Sequence, residues 1–96
     1  MFEKYIARCE TVENIVSSVL KNGASGAFDT MEEVSAYQNA WESLGAEEQM
    51  ILKIMCNSKL TKMKRIQKAE ENLHISQAQS YRLKEKTLEK LAQRLF

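Results

Sequence analysis

Between Thr61 and Phe96 the chain reads as a helix, a short break and a longer basic helix, and this stretch constrains the fold more than any other. Thr61-Lys-Met-Lys-Arg-Ile-Gln-Lys-Ala-Glu-Glu puts Met63, Ile66 and Ala69 at helical spacing, so it predicts an amphipathic helix with Thr61 as its cap. Asn72-Leu-His-Ile-Ser76 interrupts the periodicity without a proline, as a tight turn between two packed helices does. Ser76-Gln-Ala-Gln79 has the form of a capping box, in which the serine oxygen takes a free backbone N–H and the third residue reaches back. A new helix is therefore predicted from Gln77. It carries Tyr81, Arg82, Lys84, Lys86, Lys90 and Arg94 beside an apolar stripe of Leu83, Leu88, Leu91 and Leu95. A shorter helix, a brief turn and a second helix that opens on polar residues make a helix-turn-helix, the arrangement that lays side chains into a DNA major groove.

The remainder of the chain predicts three more helices. Phe2, Tyr5, Ile6, Cys9, Val12, Val16, Val19 and Leu20 recur at intervals of three and four, giving an amphipathic helix over about residues 3 to 21. Asn22-Gly-Ala-Ser-Gly-Ala-Phe28 reads as a loop, with Gly23 free to end the helix in a left-handed conformation. It is not a phosphate-binding loop, because it lacks the glycine, lysine and hydroxyl spacing and follows a helix instead of a strand. Thr30-Met-Glu-Glu33 is a second capping box, followed by Val34, Tyr37, Trp41 and Leu44 on one helical face until Gly45 closes the element. Tyr37 and Trp41 are read as core aromatics, with a surface closed by a second subunit as the other option. Ala46 to Cys56 opens on acids, which suit the positive end of a helix dipole, and is apolar around most of its circumference, so this helix is expected at the centre of the bundle. Met50, Met55 and Met63 are expected as core fillers there.

With 96 residues, no proline and three glycines, the chain is expected to form one all-α domain, a bundle of about five helices ending in the helix-turn-helix. No basic segment followed by an apolar one opens the sequence, and no run nears the roughly 20 apolar residues that span a bilayer. A cytoplasmic protein with no membrane contact is the expectation. Cys9 and Cys56 are far apart, without a CxxC partner, and are read as reduced core thiols. His74 is the one histidine, so neither a metal site, a cofactor nor a Ser/His/Asp or Cys/His catalytic set is expected, and the chain does not read as an enzyme. The net charge of +1 hides a division. Residues 1 to 58 hold four Lys or Arg against nine acids, and residues 59 to 96 hold ten against four. A basic half suits a polyanion and an acidic half stays clear of it, although lysine-rich helix surfaces also arise for solubility alone.

Ile75-Ser-Gln-Ala-Gln-Ser-Tyr-Arg-Leu-Lys-Glu-Lys-Thr-Leu-Glu-Lys-Leu91 resembles the recognition helix of the DNA-binding fourth region of bacterial sigma factors. It is still more similar to the ArpU/RinA-type regulators of phage late genes. The shared pattern is a serine cap, a Tyr-Arg-Leu-Lys core and a Leu-Glu-Lys-Leu end, covering about 17 residues. With the acid-led helix from Glu47 to Met55 and the shorter helix after it, the likeness extends over roughly half the chain. Sigma-like recognition helices usually carry an apolar residue where this chain has Ser80, and the N-terminal helices have no counterpart. The resemblance implies a late-gene transcription regulator that binds promoter DNA.

Counted from the cap at Ser76, Gln77, Gln79 and Arg82 fall in the first turns of the last helix, where base edges come closest. Gln can pair with adenine and Arg with guanine through two hydrogen bonds each, so these three are the expected base contacts. Lys62, Lys64, Arg65, Tyr81 and Lys86 are the expected phosphate contacts. The leading expectation is a sequence-specific regulator of double-stranded DNA, with RNA polymerase as a candidate partner and a homodimer through the N-terminal helices as one arrangement. The alternative is a small helical module that acts on RNA polymerase or another regulator without binding DNA. Whether residues 1 to 44 close the core of one chain or exchange between two is left open by the sequence.

Overall fold

A computed structural model describes residues 2–95, with side chains from residue 11 onward. Six helices follow in order: α1 (Phe2–Asn22), α2 (Ala24–Ala27), α3 (Met31–Glu42), α4 (Ala46–Met55), α5 (Lys62–Leu73) and α6 (Gln77–Leu95). The expected all-α bundle is observed. The side chains of Phe2, Tyr5, Ile6 and Cys9, assigned above to the first stripe, lie outside the described residues.

The helix starts follow from their caps. Thr30 Oγ1 accepts from the Glu33 N–H at 3.2 Å, and its hydroxyl donates to the Glu33 carboxylate at 3.1 Å. The Thr61 hydroxyl accepts from the Lys64 N–H at 3.3 Å. At Ser76 both halves of the capping box are made: the Gln79 N–H donates to Ser76 Oγ at 3.2 Å and the Ser76 N–H donates to Gln79 Oε1 at 2.9 Å. Each backbone N–H bound in this way is a donor that the helix itself leaves free.

The linkers depart from expectation in two places. Residues 24 to 27 are not a loop but a one-turn helix: Gly23 ends α1 at φ 79° and ψ 164°, a region open essentially to glycine alone, and small side chains then close one further turn. Gly45 does not close α3, which ends at Glu42. It is extended and starts α4, its N–H donating to Glu48 Oε1 at 3.0 Å. Gln49 instead ties the end of α3 to the link that follows it, its Nε2 donating to the Trp41 and Leu44 carbonyls at 2.9 and 3.4 Å.

The core gathers Val12 and Val16 of α1, Tyr37 and Ala40 of α3, Ile51, Leu52, Ile54 and Met55 of α4, Ala69 of α5, and Leu88, Leu91 and Ala92 of α6. Phe28, Tyr37 and Trp41 form an aromatic row along its edge, with ring centroids 5.4 and 6.1 Å apart. Cys56 is a buried free thiol, and desolvation pushes its pKa up to about 12; burial likewise raises the Tyr37 phenol. The expected central element is corrected: α4 packs chiefly on α5 and α6, whereas α6 packs on α1, α3, α4 and α5 together. Length decides this, since a helix of 19 residues can present its buried stripe to several neighbours and one of 10 cannot. Two of the three methionines assigned to the core are also corrected. Met55 is buried, but Met50 is 41% and Met63 81% exposed. At about 100° per residue Met63 stands roughly 80° round from Leu73, so it drifts off the inward face that Ile66, Ala69 and Leu73 define.

Candidate nucleic-acid interface

The turn between α5 and α6 is three residues long, His74 to Ser76. His74 takes φ 55° and ψ 42°, the left-handed conformation, while its N–H closes α5 on the Glu70 carbonyl at 2.9 Å. A non-glycine residue rarely adopts this geometry. The chain is thereby redirected within one residue, and the capping box at Ser76 starts α6 immediately.

Ser80, where sigma-like helices carry an apolar residue, is fully buried. Its hydroxyl donates to the Ser76 carbonyl at 2.9 Å, and buried Thr87 does the same to the Leu83 carbonyl at 2.7 Å. Back-bonding within the helix satisfies each hydroxyl, so α6 can bury both. With Leu88, Leu91 and Ala92 also inward, the outward face of α6 is set by exclusion: Gln79, Arg82 and Lys86 fall on it at steps of three and four, and all three are exposed. Gln77 is exposed at the first position. Glu85 flanks this row and is exposed as well.

The basic residues divide by what they touch. Lys84 Nζ pairs with Glu13 of α1 at 2.7 Å, and Lys90 Nζ pairs with Glu48 of α4 at 2.9 Å. The Gly45 N–H first and the Lys90 ammonium second hold the Glu48 carboxyl below the usual carboxylate range. Two lysines of α6 therefore answer acids of the N-terminal half. Arg82, Lys86 and Arg94 have no carboxylate partner within ion-pair distance among the described residues.

The predicted phosphate contacts are placed unequally. Lys62 and Lys64 are exposed in the first turn of α5. Arg65 is turned inward, its Nε and Nη2 donating to the Asn57 carbonyl at 3.0 and 2.8 Å, which pins the α4–α5 connection to α5. Tyr81 is half-buried and packs against the core. Gln79 has a dual position, exposed yet holding the Ser76 N–H with its Oε1, which leaves its amide nitrogen to face outward. The sequence pattern missed Arg65 and Gln49 as structural ties, because a side chain that bonds a carbonyl eight residues away leaves no periodic signature.

Chemically, this end of the molecule presents the Gln79 amide, the Arg82 guanidinium and the Lys86 ammonium on one face of α6, the Gln77 amide at its first position, and two ammonium groups at the start of α5. That set can donate to base edges and to phosphate oxygens. Comparison with family models, curated proteins and solved structures finds no match to this chain.

Proposed function

We propose that the protein is a DNA-binding transcriptional regulator that reads promoter DNA with the first turns of α6. The phage or prophage late-gene regulators that its α6 sequence resembles give the particular kind, and the site of action is then the cytoplasm, with RNA polymerase as the protein partner. One observation carries the reading. The first turn of α5 holds Lys62 and Lys64 and no acid, at the helix end whose dipole disfavours cations. The fold gains nothing from lysines there, whereas a phosphate at that end would be held by both the free N–H groups and the ammonium groups. The adjoining row of Gln79, Arg82 and Lys86 supports a partner with both phosphates and base edges.

The test is binding of the purified chain to random-sequence duplex at low and moderate salt, followed by selection of enriched sites. Arg82→Ala is expected to cost roughly 1–3 kcal/mol on the selected site and little on random DNA. Lys64→Ala should weaken both alike and flatten the salt slope by about one. Failure to bind even at low salt would transfer the weight to a protein-docking role, which the pairing of Lys84 and Lys90 with internal acids also favours.

A further inference from the structure

Away from α6, two clefts share Leu20 and Lys53 and so form one groove between the C-terminal ends of α1 and α4 and the face of α3. One end, about 360 Å³, is lined by Leu20, Tyr37 and Trp41. The other, about 280 Å³, is lined by Lys21, Lys53 and Lys59. Leu20 is 39% exposed and Trp41 is only partly covered, so the apolar end is open to a partner.

The charges in this groove run against their surroundings. Residues 1 to 58 hold nine acids and only four Lys or Arg, yet two of those four, Lys21 and Lys53, line it. None of its three lysines has a carboxylate within ion-pair distance among the described residues. Lys21 and Lys53 lie in the last turns of their helices, where a cation suits the dipole. Lys59 lies in the α4–α5 connection, outside any helix, and the dipole does not account for it.

We infer that this groove binds an acidic partner segment carrying one large apolar side chain. The apolar group seats against Leu20 and Trp41, and the carboxylates reach the three lysines. Glu42 lines the apolar end, so like-charge repulsion there fixes the direction in which the segment lies. A nucleic-acid strand is disfavoured by the same Glu42, whose carboxylate would repel its phosphates.

Trp41 is the sole tryptophan, so its emission reports on this groove without a label. The full chain is titrated with three synthetic peptides of equal length: aspartate-rich with a central leucine, the same with serine in place of leucine, and a lysine-rich counterpart with leucine. A thymidine oligonucleotide serves as the nucleic-acid arm. The acidic leucine peptide is expected to shift Trp41 emission to the blue, to shield it from acrylamide and to release with salt. The serine peptide and the Lys21→Glu/Lys59→Glu double variant should each weaken binding about tenfold. Both lysines are exposed, and thermal melting checks that the variant is folded. No emission change up to millimolar peptide, equal binding by the lysine-rich peptide or by the double variant, or a response to the oligonucleotide alone would overturn the inference. Duplex DNA takes no part in the titration, so its result is independent of the role proposed for α6.

Discussion

His74 is the residue at which local cost and architecture meet most directly. Its left-handed backbone is what makes a three-residue turn possible, and a side chain there carries a steric penalty that glycine avoids. His74→Gly is expected to stabilise the protein by about 0.5–1 kcal/mol, after allowance for glycine's greater freedom in the unfolded chain. Thermal unfolding would show this as a midpoint several degrees higher; an unchanged or lower midpoint would mean the imidazole makes a compensating contact. Lys62 bears the opposite relation to stability. Lys62→Glu replaces a cation at a positive helix end by an anion and should raise stability by about 0.3–1 kcal/mol while weakening any phosphate contact. Chemical denaturation and DNA titration of one variant would test both arms. The break at residues 72 to 76 could be read from the sequence because it interrupts a period, but the left-handed residue could not be assigned within it, since no glycine marks the spot.

All the helices but the one-turn α2 were legible for a simple reason: α3, α5 and α6 start at hydroxyl caps, and the longer helices carry apolar residues at steps of three and four. Thr30, Thr61 and Ser76 all cap as that pattern predicts. Less legible was which apolar residues turn inward. Met63 continues a three-residue step that rotates away from the core, and only the packed partner decides where such a stripe ends. Of the candidate contacts, Gln77, Arg82, Lys62, Lys64 and Lys86 are exposed, whereas Arg65 and Tyr81 are committed at least partly to the fold. The α4 start offers a test at this scale. Glu48 holds the Gly45 N–H and Lys90 as a carboxylate, and its folded pKa lies below its unfolded one. Its stabilising contribution is thus fully present above the ordinary carboxylate pKa, about 4.3, and is lost as the pH falls through the lower, folded value. Glu48→Gln should melt below the parent at pH 7 and converge with it in acid. A constant difference down to the lowest pH would rule out the carboxylate's charge as the source.

Across the whole molecule, α6 serves two ends at once, burying Leu88 and Leu91 beneath the other helices while turning Arg82 outward. The Cα radius of gyration, 13.1 Å, is that of one compact unit of this length. The acidic and basic halves are tied across it by Lys84–Glu13 and Lys90–Glu48, so the charge division legible in the sequence is partly an internal complement. Residues 59 to 96 alone should therefore not fold: without α1, α3 and α4 their leucine stripe has no cover, and the fragment's circular dichroism should lack a cooperative melt. A sharp transition in that fragment would refute the dependence. The same arrangement orders events at the ribosome. The helices synthesised first have their apolar faces open until α6 emerges to close them, so the nascent chain is expected to settle into its native packing only once α6 has left the ribosome, with chaperones as its interim cover.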